Sequence, residues 1–215
     1  MTLNPNAVPN RQFPPNVGLS SWIIQQFVPG FAGYVVDVGA SDGISINTTF
    51  WLEKELRWNI LCIEPNPIFW EKLRAHRAFV ATCACDSTPG IKEFFSFEDI
   101  PEAYSALRPS FPADFPRERA DGQPNGWDSF PVEVKTLDQC LEEAQFPRLD
   151  LLCVDVEGNE LDVLKGLDFA RWKPHALVIE SWTGKDEASD YVESLGYRQI
   201  GRNVHNNLYV PKRIP

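Results

Sequence analysis

Five apolar runs in this chain close on a carboxylate, and each is followed by a turn or a helical pattern. Tyr34–Val38 contains Asp37 and runs into Gly39; Asn59–Ile63 stops at Glu64; residues 79–85 stop at Asp86; residues 149–154 stop at Asp155; residues 176–179 stop at Glu180. Runs this continuous in Val, Ile, Leu and aromatic residues read as strands covered on both faces. Strands that alternate with helices imply a mostly parallel sheet with helices on both sides, and such sheets bind ligands beyond the carboxyl ends of their strands. Asp37, Glu64, Asp86, Asp155 and Glu180 are thereby gathered on one edge. The helix dipole, which favours carboxylates in a first turn, accounts for some of them.

The first of these strands feeds the turn Gly39-Ala40-Ser41-Asp42-Gly43. Its spacing is neither G-x-G-x-x-G nor the P-loop pattern, so it is not built to lay a pyrophosphate on bare glycine amides. Asp37 and Asp42 flank the turn, where they would repel a phosphate but suit hydroxyls, an ammonium or a sulfonium. S-adenosyl-L-methionine is a ligand of that kind. Asp37, Gly39, Ser41, Asp42 and Gly43 form one side of the expected cofactor site, and Glu64 with Pro65 forms the other. Glu64 lies about 20 residues beyond the turn, where nucleotide-binding α/β units place the acid that holds ribose hydroxyls. Asp86 has two readings, a contact to adenine or the turn chemistry of residues 86–90.

The remaining patterns predict helices at 47–57, 67–75, 137–144 and 190–195 and one beginning at Glu160, a strand at 91–97, and an antiparallel pair at 196–202 and 207–210. Residues 1–17, rich in Asn and Pro, read as an irregular arm, and Ser20 caps a short flanking helix. Residues 18–215 read as a single domain, within which 98–131 form a substrate-covering insertion. That insertion has no period but holds Tyr104, Phe111, Phe115, Trp127 and Phe130 among its prolines. A net charge of −10 and a pI near 4.8 argue against nucleic acid and against an anionic membrane as partners. The five cysteines are odd in number and lack zinc spacing, so they read as reduced core thiols. With no basic and apolar leader, the chain reads as cytoplasmic.

Several blocks together resemble one family. Asp37-Val38-Gly39-Ala40-Ser41-Asp42-Gly43, Glu64-Pro65-Asn66-Pro67, Thr136-Leu137-Asp138, Asp155-Val156-Glu157-Gly158-Asn159-Glu160 with Val163-Leu164-Lys165-Gly166, and Ile179-Glu180 resemble the ordered blocks of FkbM-type methyltransferases. The resemblance implies a Rossmann-like class I methyltransferase fold, S-adenosyl-L-methionine as donor with S-adenosyl-L-homocysteine as product, and O-methylation of a sugar or secondary-metabolite hydroxyl. It implies that Asp37, Gly39 and Gly43 wall the methionine side, Glu64 takes the ribose, Asp86 sits near the adenine, and Asp155 and Glu157 face the methyl. The chain departs from the family at residues 18–22, where a Ser-Gln segment with an acid is common, and matches it in 104–130 only at Ser105-x-Leu107.

Deprotonating an acceptor hydroxyl needs a base within hydrogen-bond reach. Asp155, Glu157 and His205 are the candidates. Glu157 reads equally well as an acid that ties loop amides, and His205 as an ordinary loop histidine. No metal ligand is assigned: Asp155, Glu180 and a neighbour would suit Mg²⁺, but nothing in the spacing demands it. Two rival readings are a nicotinamide-dependent oxidoreductase of similar fold and a catalytically silent binding module. The partner is a small-molecule acceptor, and the oligomeric state is not written in the sequence.

Overall fold

The computed structural model describes residues 23, 25–27, 29–45, 47–97, 105–107 and 127–212. The expected arm, most of the flanking helix and most of the 98–131 insertion lie outside the described residues. In chain order the elements are β1 (Tyr34–Val38), α1 (Phe50–Leu56), β2 (Asn59–Ile63), α2 (Pro67–His76), β3 (Phe79–Ala81), β4 (Ala84–Cys85), β5 (Gly90–Phe97) and β6 (Ser105–Ala106). There follow β7 (Trp127–Lys135), α3 (Leu137–Glu143), β8 (Leu151–Val154), α4 (Glu160–Lys165), α5 (Phe169–Trp172), β9 (Ala176–Glu180), α6 (Glu187–Ser194), β10 (Tyr197–Asn203) and β11 (Asn206–Pro211).

A seven-stranded sheet has the order β10-β11-β9-β8-β1-β2-β3. Its five strands from β9 to β3 are parallel, and β11 and β10 close one edge antiparallel, as the alternating pattern implies. Because successive side chains leave a strand on opposite faces, each parallel strand feeds two cores. Val36, Leu61, Leu152 and Leu177 pack with Leu137 and Leu141 of α3, Val163 and Leu164 of α4 and Val192 of α6. Val35, Ile60, Leu151 and Val178 pack on the other side with Leu52 of α1 and Leu73 of α2. Fully burying each such side chain is worth about 1.5–3 kcal/mol, so the two cores hold the sheet from both faces.

Residues 79–85 are not one buried strand. β3 pairs with β2 in the large sheet, while β4 pairs with Val134 and Lys135 of β7 in a second, four-stranded sheet of order β4-β7-β5-β6. Phe79 is accordingly 38% exposed at the large sheet's edge. The aperiodic stretch expected up to Phe130 also ends early, because β7 starts at Trp127 and pairs with β5 along its length. The last helix begins three residues before the expected Asp190, at Glu187, since the Asp186 side chain accepts from Ser189 N at 2.9 Å and caps it there. All five cysteines are free and buried. Among the described residues no helix is long and apolar enough to cross a membrane.

Candidate active site

The chain leaves β1 toward β2 and β3 on one side, and later returns to the other side of β1 as β8 and β9. The sheet's strand order therefore reverses between β1 and β8, which opens a crevice beyond their carboxyl ends. Gly39 sits at that point with φ near +83°, and a Cβ there would fall 1.8 Å from the Asp155 carbonyl oxygen. Only glycine lets the β1 turn touch the β8 turn. Gly39 N and Ala40 N both donate to Ile63 O, at 3.0 and 3.2 Å, so the turn is pinned to the end of β2 as well. A cavity of about 800 Å³ opens above this junction, lined by Asp37, Gly39, Ser41, Asp42, Glu64 and Pro65 on one side and Asp155, Glu157, Glu180 and His205 on the other.

Glu64 is buried at the end of β2, and its two oxygens accept from Ser41 N and Asn66 N, each at 2.8 Å. Burial outweighs those two amides and, with the Asp37 charge nearby, pushes its pKa up to about 7. Each oxygen keeps a second lone pair for a ligand. Asp37 Oδ2 accepts from Asn47 Nδ2 (2.9 Å) and Thr49 Oγ1 (2.7 Å). Arg77 then donates to Thr49 Oγ1, Asn47 Oδ1 and Gly43 O, which ties the approach to α1 to the end of α2. Asp42 is spent inside its own turn: it accepts from the Ile44 and Ser45 amides, the Ser45 hydroxyl and the Lys72 ammonium. Burial opposes its charge, yet Lys72 and those donors hold its pKa down at about 2.

Two expected site residues fall elsewhere. Gly43, with φ near +75°, faces Leu73 and Arg77, so it serves the packing of α2 rather than the cavity wall. Asp86 follows β4 of the second sheet and is not among the cavity-lining residues. Its carboxylate pairs with Lys92 Nζ at 2.6 Å and accepts from Thr88 N at 3.1 Å, which is turn chemistry. Burial works against that charge, but Lys92 and Thr88 hold its pKa below the usual carboxylate value.

At the other side of the cavity Asp155, Glu157 and Glu180 each offer an oxygen within 4.8 Å of the others. Asp155 is exposed and opens onto the cavity. Glu180 is buried at the end of β9, where burial and the charges of Asp155, Glu157 and Glu160 drive its pKa far up. Burial, with Asp155 and Glu160 beside it, also raises Glu157. The loop amides of Val156 and Gly158 are taken by Glu160, at 3.1 and 3.0 Å, so Glu157 is not the acid that ties this loop. His205 lies in the turn between β10 and β11, tilted by 32° against Trp182 with ring centroids 4.3 Å apart. Its Nδ1 is buried without a hydrogen-bond partner among the described residues.

A family model, the Methyltransferase FkbM domain, matches residues 37–199. The chain belongs to the FkbM methyltransferase family. Methyltransferase sdnD of Sordaria araneosa is 29% identical over 174 residues, covering 69% of this chain and 66% of its own. Hexuronic acid methyltransferase AglP of Haloferax volcanii is 28% identical over 134 residues, covering 60% of this chain and 49% of its own. This FkbM chain thus spans about half to two thirds of those relatives. The crystal structure of an FkbM methyltransferase from Methylobacillus flagellatus superposes with a TM-score of 0.54 at 16% identity, covering 93% of this chain and 48% of that one. That likeness establishes the Rossmann-like fold.

Sequence reasoning passes over several residues of this FkbM site. Asn159 is buried, lines the cavity and directs Nδ2 toward Cys85 O and Asp86 Oδ2, both at 3.4 Å. Trp51 and Trp182 supply exposed indole surface at the cavity, 56% and 40% accessible. The D-V-E-G-N-E block contains Asn159 as a signal, whereas a lone Trp after Glu180-Ser181 has none.

Proposed function

We propose that this domain is an S-adenosyl-L-methionine-dependent methyltransferase acting on a hydroxyl of a sugar or secondary-metabolite acceptor. The observation that carries the reading is Glu64, held by the Ser41 and Asn66 amides beside the Gly39 turn, at the switch point of the sheet. The residues fit the cofactor. Glycine at 39 lets the β1 turn close on the β8 turn, Glu64 offers acceptor lone pairs to ribose hydroxyls, and the acid-lined wall suits a cation rather than a pyrophosphate. When bound, the cofactor supplies an electrophilic methyl whose bonding pair leaves on sulfur as the C–O bond forms.

This chain's own residues would then align the acceptor and receive its proton. Ser105, Ala106 and Leu107 line the cavity, which supports a part for these residues in acceptor choice. His205, which lines the same cavity, is the base, and Asp155 and Glu157 orient the hydroxyl. The hexuronic acid named for the Haloferax relative supports a sugar-type acceptor. The five free thiols support a reducing, cytoplasmic setting.

Calorimetry with S-adenosyl-L-homocysteine tests the central assignment. Losing charge-assisted bonds of about 1.5–3 kcal/mol should weaken binding by roughly 10- to 100-fold in Glu64→Ala. Unchanged affinity would sink it. For the base, His205→Asn should lower kcat by about a hundredfold or more with a suitable acceptor, and wild-type turnover would remove His205 from the mechanism.

A further inference from the structure

We propose that Trp51 and Trp182 form the acceptor subsite and that it takes the ring of an uncharged pyranoside, with Trp182 holding that ring beside His205. The inference deepens the function proposed above and rests on it for the cofactor; the subsite itself rests on geometry.

Large exposed apolar side chains are ordinary when scattered and mark a ligand site when they gather in a concavity. Trp51, Trp182 and Val204 are all exposed, and all three line the cavity. Trp51 is on α1, which follows β1, and Trp182 follows β9. In the sheet β8, which leads into Asp155, lies between those two strands. The two indoles therefore belong to elements on either side of the strand that delivers Asp155.

Trp182 is held as a platform. Its ring lies against that of His205, with centroids 4.3 Å apart. Ser181 N donates to His205 O at 2.7 Å, and Arg202 Nη2 donates to the carbonyls of Ser181 and Trp182 at 2.9 and 3.1 Å. Arg202 Nε donates to Val204 O at 2.7 Å, so one guanidinium fastens the segment that carries Trp182 to the turn that carries Val204 and His205. Val204 is kept at φ near +53°, which a β-branched residue rarely adopts, and strain of that kind gathers at ligand sites. An indole fixed in this way loses little freedom when a ligand packs on it.

The polar lining narrows the class of ligand. Asn203 and Asn206 line the same cavity together with Asp155 and Glu157. Indole faces alone would suit any flat apolar acceptor, but amides and carboxylates around them suit a ring with C–H groups on its faces and hydroxyls at its rim. A pyranose has that build. Charge narrows the class further. Lys72 is the one ammonium or guanidinium among the described lining residues, and Asp42 already engages it. A uronic acid or a phosphorylated sugar would add negative charge to a wall of carboxylates, so the acceptor is neutral.

The test is saturation-transfer-difference NMR on the full chain. Methyl glycosides of glucose, galactose, mannose and rhamnose are the probes and methyl glucuronoside is the charged control, each with and without S-adenosyl-L-homocysteine. Calorimetry on the same samples follows S-adenosyl-L-homocysteine itself. At least one neutral glycoside should receive saturation at its ring C–H protons, and its Kd should rise by roughly tenfold or more in Trp182→Ala and in Trp51→Ala. Trp182→Phe, which keeps a smaller face, should fall between wild type and alanine. Methyl glucuronoside should bind roughly tenfold more weakly than the neutral probe. Circular dichroism and a cooperative melt establish that each variant is folded; should Trp182→Ala not fold, Trp51→Ala, at an exposed position of α1, carries the comparison. If the chain binds S-adenosyl-L-homocysteine, three results would each overturn the subsite and leave the methyltransferase reading standing: no saturation of any neutral glycoside, equal binding of the glucuronoside, or alanine variants that bind like wild type. Glycoside binding that depends on Trp182 in a chain that does not bind S-adenosyl-L-homocysteine would overturn that reading and leave the subsite. A chain that binds neither overturns both.

Discussion

Gly39 is the residue at which fold and site meet, because its φ near +83° and the 1.8 Å approach of Asp155 O exclude any side chain. Gly39→Ala should cost at least about 2 kcal/mol in a urea titration, combining left-handed backbone strain with displacement of the β8 turn. Glu64 gives a pH signature. An acid whose pKa rises on folding, here from 4.5 to about 7, binds more protons in the native state. Its stability contribution is therefore intact below about pH 4.5 and is lost as pH rises through about 7. The loss attributable to Glu64 should be on the order of 3 kcal/mol by about pH 8. Urea titrations of the cofactor-free protein should show that slope in wild type and its absence in Glu64→Gln. A Glu64→Gln variant with the same pH dependence as wild type would mean that Glu64 ionises normally. The acidic identity of these positions was legible in the sequence, but the partners that divide them were not. Asp42 and Asp86 look like Glu64 in a linear reading, yet Lys72 and Lys92 have claimed them.

At the scale of elements, the parallel strands were legible because burial on both faces writes an unbroken apolar run. Where residues 79–85 leave one sheet for another, no glycine or proline marks the change, and the partner of β4 lies some 50 residues on in β7. Hydrogen-bond partnership leaves no local trace in such a run. Helix caps do leave one. Thr136 accepts from Gln139 N while Gln139 Oε1 accepts from Thr136 N, a complete capping box at the start of α3. Thr136→Ala should cost about 1 kcal/mol without changing the site. Arg77 is a harsher case, since it is buried, pairs with Glu53 at 2.5 Å and donates to Gly43, Asn47 and Thr49. Arg77→Met should cost about 3–5 kcal/mol by leaving Glu53 and these acceptors without their donor, and thermal denaturation would show it.

Across the whole molecule, the net charge of −10 and the carboxylates that line the cavity act together. Burial, and then crowding among Asp155, Glu157 and Glu180, raises the pKa of Glu157 and Glu180 in the ligand-free protein. Ligand linkage gives the broadest test of the assignment. A ligand that binds only the native state at about a hundred times its Kd adds about 2.7 kcal/mol of stability. For a chain of this length each kcal/mol raises Tm by about 2–4 °C, so S-adenosyl-L-homocysteine at that concentration should raise Tm by about 5–10 °C. NADH should leave Tm where it was, because the Gly39 turn lacks the glycine spacing that seats a pyrophosphate. A shift with NADH and none with S-adenosyl-L-homocysteine would reverse the functional assignment while leaving the fold unchanged, since the same switch point serves both chemistries.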